Sequence, residues 1–180
     1  MRTNLEKTIK IPEGIEVNLD GTKLIVKGKE GENKRDFKIR KISIEKRDNQ
    51  IKLICKKATK NEKKVMNTLA SHIINMIKGV QHKFEYKLKI CFSHFPITIE
   101  IKENEANIKN FLGEKIPRKV KILKGVEVSA SKDEITVKST DRELGGQTSA
   151  NFEKATWIRM RDRRIFQDGI FIISKPGREK

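Results

Sequence analysis

The stretch Ser71–Val80, SHIINMIKGV, ends a periodic segment and leads into the alternating basic segment FEYKLKI. Apolar residues recur every three or four positions up to this point, which places them on one face of a helix: Val65, Leu69, Ile73 and Met76. Thr59 and Glu62 have the spacing of a capping box, and Lys78 followed by Gly79 is typical of a helix end. The sequence therefore predicts a helix over about residues 60–78.

Alternating segments flank this helix and predict β-strands on both sides of it. On the N-terminal side they are 15–19 and 24–26 around the turn Asp20-Gly21, then 35–39, and then 42–44 and 51–53 around the turn 47–49. On the C-terminal side they are 84–92, 97–101, 108–112, 120–122, 126–128 and 135–137. An antiparallel sheet with one solvated face needs a helix over its apolar side.

A second, weaker helix is predicted over about residues 141–156, with Thr140 and Glu143 as its capping box. Gly145-Gly146 inside it indicates either a close approach to the sheet or a frayed start. The segments ISIEKRDNQIKLI from Ile42 and VEVSASKDEITV from Val126 are hairpins of similar length, and a Thr-x-x-Glu box follows each. We therefore predict an α+β fold of two tandem, similar domains, 1–80 and 81–180, each a small antiparallel sheet covered by one main helix.

The charge balance indicates the class of partner. The 180 residues contain 41 Lys and Arg against 24 Asp and Glu, a formal net charge of +17. A chain this basic favours a polyanion, so nucleic acid is the leading partner. Neither a membrane-spanning segment nor a long amphipathic basic helix with bulky apolar residues is present in the sequence, and the N-terminus lacks the apolar segment of a signal peptide.

The sequence predicts neither a metal site nor an active site. Cys55 and Cys91 lie far apart on predicted strands, which is typical of free thiols in a reducing compartment. The three histidines are not at metal-ligand spacing, and Asp162 and Asp168, which lie among arginines, favour capping and ion pairing over metal binding. A P-loop, a His-Glu-x-x-His motif and a nucleophile elbow are all missing, so we expect no enzyme, cofactor or small-molecule substrate.

Two basic segments are candidates for phosphate contact. The segment 157–164, WIRMRDRR, favours phosphate contact over a merely solvated face because arginine binds phosphates bidentately; its arginines are Arg159, Arg161, Arg163 and Arg164. In the segment 115–124, KIPRKVKILK, alternation places Lys119 and Lys121 on one face of a strand. That strand either lies along an RNA backbone or is an edge strand that lysines protect from aggregation.

Aromatic residues near these segments have two interpretations. Phe84, Tyr86 and Phe92 have the period of a strand's core face, which we favour over base stacking. Trp157 either closes the core at the helix end or stacks on a nucleotide. His94 lies in a predicted turn, where backbone hydrogen bonding is the default and RNA contact the minority view.

Five short motifs, in this order along the chain, resemble the large-subunit ribosomal protein six family in its eukaryotic and archaeal branch: SHIINMIKGV, FEYKLK, HFPI, IKNFLGEK and RDRRIFQDGIF. The earlier VKGKEGENKRDF is also similar to a segment of that family. The resemblance runs over nearly the whole chain. It implies two tandem domains of one α+β fold and no enzymatic activity. It also implies a structural place in the large subunit of a cytosolic ribosome, on rRNA near the sarcin–ricin loop and the translation-factor site.

The resemblance further implies that the second domain makes much of the rRNA contact, beside neighbouring ribosomal proteins. By motif, the resemblance gives His94, Asn110, Lys115, Arg118, Arg161, Arg163 and Arg164 as candidate contacts. The basic segments themselves add Lys119, Lys121 and Arg159, and Lys175 near the end of the chain is a further candidate. Asp168-Gly169 is expected to form a turn that holds the arginines. The lysine- and glycine-rich C-terminal motif of bacterial members is missing. The short loop at 47–49 and the short tail after 175–177 indicate a trimmed eukaryotic member.

Two other functions remain open on the sequence alone. One is an RNA-processing enzyme or its accessory subunit, which would need clustered acids or a cofactor loop. The other is a free-standing RNA chaperone, which would need no place in a ribosome.

Overall fold

The computed structural model describes residues 3–37, 39, 41–47 and 49–179, and the chain divides into two compact units, Met1–Lys83 and Phe84–Lys180. Within the described ranges each unit contains one α-helix and two antiparallel sheets. The α+β class is therefore confirmed, with two sheets in each unit where one was predicted. Neither helix in the described part of the chain combines the length and apolar character that crossing a bilayer requires.

The first unit contains six strands and the longer helix. Its elements are β1 (Thr3–Lys10), β2 (Glu16–Asp20), β3 (Lys23–Gly28), β4 (Gly31–Asp36), β5 (Ser43–Arg47), β6 (Gln50–Ala58) and α1 (Lys60–Gln81). The sheets have the orders β1-β6-β5 and β2-β3-β4. One apolar core joins both sheets to α1, and its fully buried members include Val26, Ile51, Leu53, Ile73 and Val80.

The helix α1 begins as predicted and ends later than predicted. The Glu62 carboxylate accepts a hydrogen bond from the Thr59 backbone N–H at 2.9 Å, as a capping box requires. Hydrogen bonds from the Thr59 hydroxyl and from Lys41 lower the pKa of Glu62 to about 2. Gly79, predicted as the stop, is buried inside the helix, which continues to Gln81.

The helix α1 extends beyond Gly79 because its last turn contacts a part of the chain that is distant in sequence. Val80 is fully buried, and its carbonyl accepts a hydrogen bond from the Glu30 backbone N–H at 2.9 Å. A Cβ on Gly28 would lie 2.8 Å from that carbonyl oxygen, so glycine permits the close approach of strand and helix. Near the start of the helix, Val65 is 42% exposed, and its neighbour Met66 takes the buried position that we predicted for Val65.

The second unit contains eight strands, a 3₁₀ turn and the shorter helix. Its elements are β7 (Phe84–Cys91), β8 (Thr98–Lys102), β9 (Glu105–Lys109), β10 (Arg118–Lys121), β11 (Val126–Ala130), β12 (Glu134–Ser139), α2 (Arg142–Ala155), β13 (Gly169–Lys175) and β14 (Arg178–Glu179). The sheets have the orders β11-β12-β7-β13-β14 and β10-β9-β8. Helix α2 contacts strands of both sheets, and Phe152 on α2 is fully buried in the core.

Strands β1, β13 and β14 were not predicted, each for a different reason. In β1 Lys7 occupies an inward position between Leu5 and Ile9, which interrupts the apolar alternation of the strand. The Lys7 ammonium donates a hydrogen bond to Asn67. In β13 the run GIFII lacks the polar alternation of a half-exposed strand, because its outward positions are also apolar: Phe171 is 45% exposed and Ile173 37%. β14 is only two residues long.

Several predicted boundaries need correction. The strand predicted at 35–39 lies at Gly31–Asp36, and Lys38 is outside the described residues, as is Asp48 of the turn 47–49. The strand predicted at 108–112 ends at Lys109, because Asn110 and Leu112 have left-handed backbone conformations. The capping box at Thr140 is wrong, since Asp141 is the N-cap and its carboxylate accepts from the Glu143 N–H at 2.8 Å.

The two glycines of α2 mark a close approach, which was one of the two alternatives that the sequence left open. A Cβ on Gly145 would lie 2.9 Å from Cε2 of Tyr86. The Tyr86 ring cannot easily retreat, because it is buried and its hydroxyl donates a hydrogen bond to the Arg142 carbonyl at 2.7 Å. The helix therefore lies against β7 at this point.

Replacing Gly145 with alanine is expected to destabilise the protein, although the same change at an ordinary helix position stabilises it by about 1 kcal/mol. The clash with Tyr86 should cost about 1–3 kcal/mol of unfolding free energy, measured by urea denaturation. Gly146→Ala is the matched control and should cost less, since the nearest atom to its Cβ would be the Tyr86 hydroxyl at 3.2 Å, with the ring carbons at 3.6 Å or more. A higher midpoint for Gly145→Ala would contradict the close approach.

Candidate nucleic-acid interface

The predicted arginine segment forms an exposed loop in the second unit. We call residues 157–168, between α2 and β13, the arginine loop. Its ends are tied together because the buried hydroxyl of Thr156 accepts a hydrogen bond from the Ile170 N–H at 3.0 Å. All four predicted arginines are exposed, and so is Met160, whose φ is +58°. The loop thus exposes its four arginines, while the hydrogen bond between Thr156 and Ile170 holds its two ends together.

Two of the arginines lie over aromatic rings. The guanidinium carbon of Arg161 is 4.9 Å from the centre of the Phe166 ring, and that of Arg163 is 5.0 Å from the centre of the Trp157 ring. Such stacking contributes about 0.5–1 kcal/mol at an exposed site and leaves the N–H groups at the guanidinium edge free to bind an anion. The rings therefore position these arginines without neutralising them.

The other two arginines have different surroundings. Arg164 pairs with Asp162, at 3.4 Å from Nε to Oδ1, and the Asp162 carbonyl accepts backbone hydrogen bonds that close a turn. This confirms the predicted capping and ion-pairing role of Asp162. Among the described residues, the side chain of Arg159 has no hydrogen-bond or ion-pair partner. The four arginines of the loop thus outnumber its two acidic residues, Asp162 and Asp168, so the loop has a net positive charge.

Asp168 ties a neighbouring turn to the end of the arginine loop. Its carboxylate is 2% exposed and accepts hydrogen bonds from the Ser93 N–H at 3.1 Å and from the Ser93 hydroxyl at 2.8 Å. Burial raises the pKa of Asp168, but the hydrogen bonds from Ser93 and His94 outweigh this effect and hold the pKa below its ordinary value. The expectation that Asp168-Gly169 is a turn holding the arginines is wrong, because Gly169 begins β13.

His94 lies beside the arginine loop. Its ring stacks on Phe166 with centroids 5.4 Å apart, and its Nδ1 is 3.4 Å from Asp168 Oδ1. Phe166 thus contacts both His94 and Arg161. Neither Phe166 nor Ser93 was singled out from the sequence, since a lone aromatic and a lone serine have no distinctive spacing.

Arg118 is held inside the second unit. Its guanidinium donates to Glu114 at 2.8 Å and to the Ala155 carbonyl at 2.7 Å, and it lies 4.4 Å from the centre of the Phe111 ring. Its hydrogen bonds to Glu114 lower the pKa of that carboxyl group. Arg118 therefore joins β10 to the end of α2, directly before the arginine loop.

Asn110 also makes an internal contact, since its side-chain amide donates to the Pro96 carbonyl at 3.0 Å. It thereby holds the segment that follows His94. Both Asn110 and Arg118, predicted as rRNA contacts, thus have positions that support neighbouring loops.

The remaining predicted lysines are exposed and lie on β10, before it, or at the end of β13. Lys119 and Lys121 point outward from β10 while Val120 is buried, which confirms the predicted alternation. β10 is also an edge strand, so protection of the edge remains compatible with phosphate contact. Lys115 is exposed before β10, and Lys175 ends β13, roughly 20 Å along the strand from the arginine loop.

Positive charge is not confined to the second unit. Residues 1–83 contain 21 Lys and Arg against 10 Asp and Glu, whereas residues 84–180 contain 20 against 14. The first unit also has an arginine over a ring, since the guanidinium carbon of Arg35 is 5.7 Å from the centre of the Phe37 ring. The second unit differs in having two such arginines, Arg161 and Arg163, within one exposed loop. In the described residues, no group of three or more His, Cys, Asp or Glu side chains is arranged to hold a metal ion.

Comparison with known proteins establishes the family. Residues 11–83 and residues 95–169 each match the model of the family described as ribosomal protein L6. The chain belongs to the ribosomal protein L6 family. The two separate matches confirm the internal duplication predicted from the hairpin-and-helix repeat.

Three archaeal relatives match the L6-family chain over nearly its full length, and each is named large ribosomal subunit protein uL6. The protein of Methanobrevibacter smithii is 42% identical over 171 residues, covering 95% of this chain and 96% of the relative. That of Methanospirillum hungatei is 43% identical, with 95% and 97% covered. That of Archaeoglobus fulgidus is 40% identical over 176 residues, with 95% and 90% covered.

Proposed function

We propose that this chain is a structural constituent of the large ribosomal subunit and that it binds large-subunit rRNA through basic loops of its second unit. The L6 family membership and the names of the archaeal relatives support the ribosomal role. The proposal includes a cytosolic ribosome, a position near the sarcin–ricin loop and translation-factor site, and contacts with neighbouring ribosomal proteins.

The arginine loop is the observation that carries the rRNA proposal. Arg161 and Arg163 are exposed, yet aromatic rings hold their planes. A guanidinium held in this way loses less conformational entropy on binding a phosphate than a free side chain does. The four arginines form the centre of the proposed interface, with His94, Lys115, Lys119 and Lys121 as further contacts.

The other predicted residues have different parts in this proposal. Arg118 and Asn110 act through the loops that they hold, since their polar groups already have internal partners. Lys175 lies at the periphery. The protein acts as a scaffold in which rigid sheets fix the positions of cationic loops, and it catalyses no reaction.

Co-sedimentation in a sucrose gradient tests this function. A tagged copy of the whole chain should sediment with large ribosomal subunits at low salt and be released from them as salt rises, because phosphate contacts weaken with ionic strength. A protein that stays at the top of the gradient would be a free RNA chaperone. Turnover of an RNA substrate by the purified protein would favour a processing enzyme instead.

A further inference from the structure

An open, largely apolar groove of about 900 Å³ lies beside the arginine loop, within the second unit. Its lining includes large apolar side chains and one arginine of the loop: Phe92, Trp157, Arg163, Ile165 and Phe171. The sequence predicted Phe92 on the core face of its strand, but β7 ends at Cys91 and the Phe92 side chain is 43% exposed in the groove. The groove thus includes large apolar side chains that the core does not bury.

The exposed apolar surface in this groove is concentrated. Trp157 is 54% exposed, Phe171 45% and Ile165 66%. A cluster of large exposed apolar side chains in one groove marks an interaction site, whereas single exposed ones are ordinary. Four of the side chains that line this groove are aromatic, so a flat partner can lie against them: Phe92, Trp157, Phe166 and Phe171.

Charged residues at the groove indicate which chemical groups a partner would offer. Arg163 and Lys154 contribute positive charge, and Glu153 contributes negative charge. The carboxylate of Asp168 also lines the groove, but it is buried and engaged with the Ser93 turn. Through Arg163 the groove adjoins the other arginines of the loop, which outnumber the acidic residues there, so a partner that offers apolar surface and anionic groups together fits this place.

An unstacked RNA nucleotide meets both requirements, because its base is a flat apolar face and its phosphate lies one sugar away. RNA-binding proteins receive such bases on aromatic rings and on arginine planes. Here Arg163 lies 5.0 Å from the centre of the Trp157 ring and Trp157 is 54% exposed, so a base stacked on the exposed part of the ring has a guanidinium beside it to bind its phosphate. An acidic peptide would satisfy the charge, but it would not require a set of aromatic rings.

We propose that the groove binds one unpaired nucleobase of the RNA, with the base stacked on Trp157 and its phosphate bound by Arg163. This inference rests on the proposed rRNA function and adds to it a specific subsite. It also decides between the two alternatives that the sequence left for Trp157, in favour of stacking on a nucleotide. The other arginines then bind neighbouring phosphates of the same RNA strand and so determine which nucleotide lies at the groove.

The chain offers a direct readout, because Trp157 is its one tryptophan. Indole emission of the whole protein can be followed during titration with three probes: a seven-nucleotide oligouridylate, an RNA duplex of the same length, and inorganic polyphosphate of matched charge. We expect the oligouridylate to quench the emission strongly. The duplex and the polyphosphate should leave most of the indole emission unquenched, because neither offers an unpaired base.

Substitutions at Trp157 provide the second measurement. Trp157→Ala should weaken oligouridylate binding about 5- to 100-fold, the range for losing one stacked base, and Trp157→Phe should retain most of the affinity. Polyphosphate binding should fall less than about 5-fold in Trp157→Ala, since that variant loses only the contact of Arg163 with the ring and keeps all four arginines. The melting temperature of each variant verifies folding, which we expect to persist because the side chain is half-exposed.

Each other outcome overturns the subsite. Equal quenching by polyphosphate would mean that Arg163 movement alone changes the emission. Equal loss of polyphosphate and oligouridylate binding in Trp157→Ala would assign Trp157 to positioning the arginines. Quenching by an acidic, phenylalanine-containing peptide but not by oligouridylate would assign the groove to a protein partner. If the chain sediments with large subunits but oligouridylate leaves the emission unchanged, this inference fails alone; if it does not sediment with them, the proposed function fails.

Discussion

Replacing Arg161, Arg163 and Arg164 with alanine is expected to lower the affinity for a large-subunit rRNA fragment about 100-fold at 0.1 M salt. Hydrogen bonds between charged groups contribute about 1.5–3 kcal/mol. We take about 1 kcal/mol for each exposed interaction, since solvent screens it, and removing three of them gives about two orders of magnitude. The plot of log affinity against log salt should also become shallower by about three, one for each phosphate that the variant no longer binds. Filter binding measures both quantities.

The same triple variant should remain folded. It loses the stacking of Arg161 on Phe166 and of Arg163 on Trp157, each contributing about 0.5–1 kcal/mol, so the melting temperature should fall by only a few degrees. A global loss of folding would assign the loop a structural role instead.

The matched control removes the same charge elsewhere. Lys23, Lys27 and Lys29 are exposed in the first unit, and their replacement with alanine should change the affinity less than about 10-fold. Equal reductions in affinity for the two triple variants would mean that net charge, rather than the arginine loop, drives binding.

Replacing Asp168 with alanine is expected to lower the free energy of unfolding by about 3 kcal/mol at neutral pH, measured by urea denaturation. The substitution removes a buried carboxylate and leaves the Ser93 N–H and hydroxyl without their acceptor. The same change should weaken rRNA binding, because the Ser93–His94 turn is then no longer tied to the end of the arginine loop. Asp162→Ala is the control, since Asp162 is an exposed member of the same loop and should cost less than about 1 kcal/mol.

The Asp168 effect should depend on pH in a defined direction. The folded-state pKa of Asp168 lies below its ordinary value, so its stabilisation is fully present above the unfolded pKa of about 4. It disappears as the pH falls through the lower folded pKa. The stability difference between the native protein and Asp168→Asn should therefore shrink below about pH 4, and a difference that stays constant down to pH 2 would contradict the assigned hydrogen bonds.

Sequence periodicity predicted the elements that bury one face and expose the other. The helix α1 and the hairpins of both halves follow from it, and so does the outward direction of Lys119 and Lys121. The same reasoning missed β13, because its exposed residues Phe171 and Ile173 are apolar and its sequence therefore does not alternate between polar and apolar. It also placed the end of α1 at Gly79, because the contact between Gly28 and Val80 that supports another turn joins residues far apart in the chain.

The sequence predicted the charged residues of the candidate site but not the contacts that hold those residues in place. A run of arginines indicates phosphate contact, and the structure exposes all four. The rings that hold Arg161 and Arg163 could not be deduced, nor could the partner of Asp168, because each contact depends on how a loop folds back on itself. For the same reason Arg118, a cation in a basic segment, resembled a contact residue although its guanidinium is bound to the end of α2.

Ultraviolet cross-linking of the chain within reconstituted large subunits, followed by mass spectrometry of RNA-linked peptides, tests the central claim most directly. We expect rRNA-linked peptides from the arginine loop, residues 157–168, and from β10 with the segment before it. RNA-linked peptides that come only from other exposed surfaces, with the arginine loop uncrosslinked, would contradict the claim that this loop is the centre of the rRNA interface.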